Sequence, residues 1–264
     1  MPFTENNVDS VVYMTAPDIA TTHAFTTRYG GASNGIFDSL NLGMRLGDDP
    51  DNVTENYNRI CHALGITINA IVCSNQVHGT GIRVVTREDR GRLFLPNPHQ
   101  SDGLITNVSD VSLLIFTADC TPILLYDPVR RAAGAVHAGW RGTVADIAGA
   151  AVKKMTDIFG CKPADIRAAI GPCISKCCYE TGRDVADAIN DTLGSDADEC
   201  FGRLGGTTMV DLKTANRILL QNAGVRDISV SSECTSCRSD KYWSHRKTNG
   251  RRGSQSAIIA IGSQ

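Results

Sequence analysis

Three segments of the chain carry a metal-capable side chain where an apolar, strand-like run meets a polar or glycine-rich turn. They are SNQVHGTGI (74–82) with His78, FTADCTP (116–122) with Cys120, and AAGAVHAGWRGT (132–143) with His137. Imidazole and thiolate are the preferred ligands of zinc, and three such ligands without a fourth leave one coordination position open for chemistry. The separations, 42 residues from His78 to Cys120 and 17 from Cys120 to His137, match no short zinc-finger pattern, so only the fold can assemble such a site. Taken one at a time, each residue is equally at home in a core, and cysteine is among the most buried residue types. A third reading makes Cys120 a nucleophile activated by His137. A thiolate bound to zinc is a poor nucleophile, so the readings compete, and spacing leaves all of them open.

The elements that must position these residues follow from periodicity. Thr21 to Arg28 alternates as a strand and runs into the flexible loop GGASNG (30–35). DNVTENYNRICHALG places apolar residues at 53, 57, 60, 61 and 64, a helical face with Asp51 or Asn52 as N-cap and Gly65 as stop. Strands are predicted at 70–77, 81–86, 103–106, 112–117, 122–126, 132–137, 166–170, 227–231 and 255–261. GTVADIAGAAVKKMTDIFG is the strongest helix, with Val144, Ile147, Ala151, Met155 and Ile158 on one face and Gly160 at its end. Further helices are predicted near 182–193 and 212–222. The central strands follow one another without helices between them. That predicts an α/β (α+β) layered sandwich, a mixed sheet covered by helices, rather than a doubly wound parallel sheet. No repeat or linker interrupts the 264 residues, and a single domain, 1–264, is expected.

Composition narrows the class. A net charge of −2 offers no broad basic field for nucleic acid or an anionic membrane. No apolar run approaches the ~18 residues that suggest a membrane span. MPFTENNVDS has neither a basic n-region nor an apolar h-region, so ten cysteines are expected as reduced thiols in a cytoplasmic setting.

Beyond the three metal-capable segments, FTTRYGGASNG (25–35), SLNLGMRLGDDPDNVTENYNRI (39–60), TADCTPILLYDP, IGPCISKCCYE (170–180) and the closing CTSC…YWSHRKTNGRRG also align with a known pattern. In order and over nearly the whole chain, the sequence resembles the YfiH family, also called the laccase-domain, polyphenol oxidase or peptidoglycan-editing-factor family. The resemblance implies a zinc ion (copper in some members) held by the His of QVHG, the Cys of TADC and the His of HAGWRG, which are His78, Cys120 and His137. It also implies phosphorolysis of purine nucleosides (inosine, adenosine or methylthioadenosine) to free base and sugar 1-phosphate. Adenosine deamination at the same site is implied as a second activity.

Residue chemistry suits those implications in several places. A metal-activated water is the nucleophile that hydrolytic deamination needs. Phosphorolysis needs a phosphate cradle, for which Arg141 offers a bidentate guanidinium and Gly142 opens the strongest helix, whose free N–H groups favour an anion. Asn41 and Arg45, polar residues in SLNLGMRLG, could contact sugar, base or phosphate, or serve as a turn cap and a surface charge. Gln76 is expected on the strand face of His78 and so beside the substrate. Asp119 could orient a ligand histidine or act as acid/base, or cap turn N–H groups. Tyr29 and Phe37 could stack on a purine or pack in the core. The basic SHRKTNGRRG (244–253) is expected at the pocket rim. CISKCC (173–178) and CTSC (234–237) offer five thiols, Cys173, Cys177, Cys178, Cys234 and Cys237, for a structural zinc or for nothing more than reduced loop cysteines. A His2Cys set also suits copper, but six histidines supply too few ligands for a multicopper phenol oxidase. Non-enzymatic correction of peptidoglycan precursors is implied by a family name alone.

Overall fold

The structure is a computed structural model and describes residues 2–204 and 206–262. Its layering follows from strands that are apolar on both faces. Along β7 (Ser112–Thr117) and β14 (Gln255–Ala260), Leu113, Ile115, Ala257 and Ile259 point one way while Leu114 and Ile258 point the other. All six are buried, so this sheet is covered on both sides. The first sheet has the order β1 (Thr4–Val8), β2 (Val11–Thr15), β3 (Thr22–Thr26), β14, β7, β4 (Ile71–Val72). The second has the order β13 (Asp227–Val230), β10 (Arg167–Ile170), β8 (Thr121–Asp127), β9 (Ala132–Ala138), β6 (Gly103–Thr106), β5 (Ile82–Val84). Both are mixed: β4 runs parallel to β7, and the outer strands β13 and β5 run parallel to β10 and β6. A small ribbon pairs β11 (Phe201–Leu204) with β12 (Thr207–Val210).

The two large sheets face each other across Phe25, Leu104, Leu113, Leu124, Ala135 and Ala257. Helix α1 (Pro50–Leu64) covers the outer face of the first sheet through Val53, Tyr57 and Ile60. The outer face of the second is covered by α3 (Ile147–Phe159), α4 (Arg183–Leu193) and α5 (Leu212–Asn222). Two short helices, α2 (Trp140–Val144) and α6 (His245–Thr248), lie next to the candidate site in sequence. The expected mixed α/β sandwich is present, with its strands divided between two sheets. A run buried on both faces reads identically whether helices or another sheet cover it, which is why alternation did not separate them. No helix among the described residues is long and apolar enough to cross a membrane.

Several local expectations change. Helix α1 is capped by Asp49, whose side chain accepts from Asp51 N at 2.9 Å, with Pro50 in the first turn, rather than by Asp51 or Asn52. The strand expected over 70–77 stops at Val72. Asn75 N–H donates to His99 O, and the N–H groups of 77 to 79 go to one carboxylate, so no ladder continues. The strongest helix is broken into α2 and α3 at Asp146, which sits in the left-handed region at φ 53° and caps Gly149 N at 2.9 Å. The N-terminus of the long helix is therefore closed by its own carboxylate, and Gly142 does not open it. Ile158 leaves the helical face that was expected to be buried: it is 52% exposed, whereas Met155 is fully buried. Met155→Ala should cost ~2–5 kcal/mol of stability, and Ile158→Ala about 0.5 kcal/mol or less, both read from urea unfolding midpoints.

Candidate metal centre and its cavity

Antiparallel pairing of β8 with β9 sets Pro122 opposite His137, so Cys120, two residues before Pro122, lies beside the end of β9. Pairing of β6 with β9 sets Gly103 opposite Val136 and brings Asp102 alongside His137. Asp102 is fully buried and acts as the hub. Its Oδ1 lies 2.8 Å from His137 Nδ1, and its backbone oxygen accepts from His137 N at 2.7 Å. Its carboxylate also accepts the N–H groups of Val77, His78 and Gly79 at 2.9–3.0 Å. That grip curls the segment and puts His78 in the left-handed region at φ 59°. The donor atoms of His78, Cys120 and His137 all lie within 4.8 Å of one another, and the two imidazoles meet edge to face at 4.8 Å. Space for them exists because residue 139 is glycine. A Cβ there would stand 2.7 Å from His78 Nδ1 and 3.4 Å from Cys120 Sγ.

The electrostatics separate the two histidines. Burial depresses His78 from the ordinary imidazole value, helped by the nearby His137. Burial also opposes charge on His137, but the Cys120 sulfur and the Asp102 carboxylate outweigh it and raise His137 to about 9. Burial likewise works against Asp102, whose bonds to His137 and to the Gly79 and Val77 N–H groups prevail and hold its carboxyl below the usual range. With Nδ1 of His137 engaged by Asp102, Nε2 is left for a metal, the arrangement of a histidine ligand oriented by a carboxylate. Two imidazoles, a thiolate and an orienting carboxylate are a donor set that fits zinc or copper.

The three residues border a cavity of about 560 Å³, within the usual range for small-molecule sites. Met44, Leu93, Phe116, Ile174 and Tyr179 make apolar wall, while Arg45, Arg246 and Arg252 contribute cationic side chains and His245 an imidazole. Gln76 lines the cavity, but its amide is tied to the backbone of Phe116 in both directions, at 2.8 and 2.7 Å. It does not share a strand face with His78, because no strand forms there. Asp119 also lines the cavity, at φ 85°. It orients neither histidine; its oxygens accept from Thr235 Oγ1 at 2.6 Å, Ser244 Oγ at 3.0 Å and Arg246 N at 2.6 Å.

Two expected contacts fall outside the lining. Asn41 is fully buried, with its amide spent on Gly43, Asp48 and Ser254, because a polar side chain enclosed by apolar neighbours must satisfy itself locally. Arg141 is exposed, its guanidinium 4.3 Å from the Trp140 ring, and reaches the site as a nearby charge on His78 and Tyr179 rather than as a lining group. Tyr29 donates to Asp240, and Phe37 is buried; neither lines the cavity. The basic 244–253 segment does reach it, through His245, Arg246 and Arg252. Asp102 went unrecognised in the sequence, where its only signal is a lone acid at the start of a predicted strand. Tyr179, in CCYE, carried no signal beyond being aromatic.

The layered fold thus brings two histidines, a cysteine and a buried aspartate, a metal-capable set, to the border of one arginine-lined cavity. A sequence profile of the family described as "Multi-copper polyphenol oxidoreductase laccase" matches residues 22–262. The chain is 40% identical over 240 residues to purine nucleoside phosphorylase YlmD of Geobacillus stearothermophilus, covering 89% of this chain and 88% of that one. It is 42% identical over 247 residues to a purine nucleoside phosphorylase of Deinococcus radiodurans, covering 93% and 91%. The crystal structure of a Bacillus licheniformis hypothetical protein, YfiH, superposes with a TM-score of 0.92 at 35% identity over 98% of this chain and 99% of that one. The chain belongs to this YfiH/YlmD laccase-like family.

Because His137 is raised, its protonated form favours the folded metal-free protein. That contribution is complete below the unfolded value of 6.5 and is lost as pH rises through about 9. Asp102→Asn should bring the His137 titration down and shrink this pH-dependent loss. NMR of the imidazole C–H signals in chelator-treated protein, beside urea midpoints at several pH values, checks both.

Proposed function

We propose that the chain, as one catalytic domain over 1–264, is a zinc-dependent purine nucleoside phosphorylase. It would split inosine, adenosine or methylthioadenosine with phosphate and could also deaminate adenosine. The observation that carries this reading is one cavity that combines the His78–Cys120–His137 donor set with three arginines, in a chain whose relatives bear the phosphorylase name.

Zinc would be held by His78, Cys120 and His137, and when bound it supplies Lewis-acid activation of an oxygen nucleophile, phosphate in phosphorolysis or water in deamination. The protein's own part begins with the anion. Arg252 is depressed by burial but supported by Asp119 and Cys120 charge, and it keeps a buried Nε without a partner among the described residues. Ser74 Oγ and Thr117 Oγ1, also cavity-lining, are likewise buried and unpartnered. Such groups are costly unless something else satisfies them, and phosphate oxygens or ribose hydroxyls have the required chemistry. Arg45 makes no hydrogen bond or ion pair among the described residues and is available at the rim. Phosphate held by Arg252 and Arg45 would attack C1′ of the sugar. The C1′–N9 bond breaks with its electron pair going to the purine, which leaves along the Phe116, Ile174 and Tyr179 wall. Asp119 acts by holding the backbone of Arg246 and the hydroxyls of Thr235 and Ser244 in place.

The copper oxidase reading is weaker. Among the described residues the two groups of metal-capable side chains are this one and a second made only of cysteines, so no further histidine-rich copper site accompanies it. The contact of Cys120 with a raised His137 favours the nucleophile dyad only in metal-free protein. Elemental analysis separates the two: a metal ion lost in Cys120→Ala removes the dyad. Inosine with phosphate should yield hypoxanthine and ribose 1-phosphate, and Cys120→Ala should abolish the release. Arg252→Ala should lower kcat/KM for phosphate roughly ten- to hundredfold, the size of a lost charge-assisted hydrogen bond. No base release with zinc and phosphate present would defeat the proposal, and inosine formed from adenosine without phosphate would support the deaminase branch.

A further inference from the structure

The phosphorylase reading leaves one cluster of chemistry-bearing residues unused. Cys177, Cys178, Cys234 and Cys237 come from two loops about sixty residues apart in sequence, yet all four Sγ atoms lie within 4.8 Å of one another. Cys237 Sγ is 3.5 Å from Cys177 Sγ and 3.4 Å from Cys178 Sγ. Four sulfurs at ~2.3 Å from a tetrahedral zinc are separated by about 3.8 Å, so this packing needs only a small expansion to receive the ion. We propose that these four cysteines form a second, structural zinc site, a closed tetrathiolate that staples the 173–180 loop to the 231–246 segment.

Two further observations point to a ligand here. Ser175 N, on one loop, donates to Cys234 Sγ on the other at 3.3 Å. Sulfur is a weak acceptor of an N–H group as a thiol and a good one as a thiolate. Lys213, almost fully buried, donates to Ser175 Oγ, Ser231 O and Glu233 O at 2.7–2.9 Å, with no carboxylate in ion-pair contact among the described residues. A buried ammonium needs a nearby negative charge, and this one is bonded to residues adjoining both cysteine loops. Binding of Zn²⁺ releases the four thiol protons to solvent and leaves the centre with a charge of −2, which answers that need. Cys173, the fifth cysteine of the two motifs, is excluded by geometry. It is fully buried, accepts from Thr121 Oγ1 at 3.4 Å, donates to Ile174 O at 3.3 Å, and is pushed up to about 12 by burial.

The staple adjoins the cavity through short covalent and hydrogen-bonded paths. Ile174 and Tyr179, on one stapled loop, line it. Thr235, inside the Cys234–Cys237 turn, holds Asp119 at 2.6 Å, and the Arg246 guanidinium donates to Cys178 O and Glu180 O at 3.4 and 3.0 Å. Zinc here would set the relative position of two cavity walls without touching substrate.

Zinc stoichiometry with variants tests the proposal. Protein purified without chelator should hold about two zinc ions per chain, with about one left in Cys120→Ala and about one in the double variant Cys177→Ser/Cys237→Ser. Cobalt-loaded Cys120→Ala should show the strong sulfur-to-cobalt charge-transfer bands of an all-thiolate tetrahedral centre, a readout that stands if the double variant fails to fold. A wild-type protein with one zinc that Cys120→Ala removes entirely would overturn the proposal. So would a native disulfide from Cys237 to Cys177 or Cys178 found by mass spectrometry of freshly purified protein. Loss of phosphorylase activity with the second zinc retained would count against the catalytic reading and leave this site standing.

Discussion

The buried carboxylate of Asp102 is the constraint around which the site is arranged. A charge removed from water must be repaid by donors, and Asp102 collects four: one from the His137 ring and three from consecutive backbone N–H groups at 77–79. The same bonds that stabilise the anion end the β4 strand early, curl the segment carrying His78 and aim the His137 ring. Satisfying one buried group thus brings together segments that are far apart in sequence. The closeness of the two imidazoles and the thiol is a consequence of that arrangement, and Gly139 supplies the room for it.

The layered architecture explains why this happens at one edge of the fold. Cys120 and His137 flank paired strands of the second sheet, and Gln76 bonds the backbone of Phe116 at the end of a first-sheet strand. The cavity therefore opens where both sheets end. Its remaining walls come from segments that no sheet holds: 43–46, 93–97, 173–180, and the stretch from His245 to Ser254. Their order depends on side-chain bonds, among them those of Asp119, Lys213 and the cysteine cluster. The polar knot around Asp119 performs for the cationic wall what Asp102 performs for the histidines.

Much of this was legible in the sequence wherever one residue type and local periodicity carry the information. The helices α1, α4 and α5 and most strands of the central sheets were predicted close to their observed positions, because their apolar spacing is strong. The strand-to-turn settings of His78, Cys120 and His137 were visible as well. Less visible were the N-terminal hairpin β1–β2 and the β11–β12 ribbon, which are polar or half-exposed and show little alternation. Asn41 looked available because it is polar, yet its neighbours consume its amide. Arg141 looked well placed because of its motif, yet the α2 turn directs it outward over Trp140.

The sequence by itself determined the donor types, the α/β class and the family. These depend on side-chain chemistry and short-range pattern. Only the tertiary structure decided that the strands divide into two sheets, that Asp102 rather than Asp119 orients His137, and that Cys178 rather than Cys173 joins the second thiol cluster. Each of those outcomes is set by contacts between segments distant along the chain, where burial forces a polar group to find whichever partner the packing brings within reach.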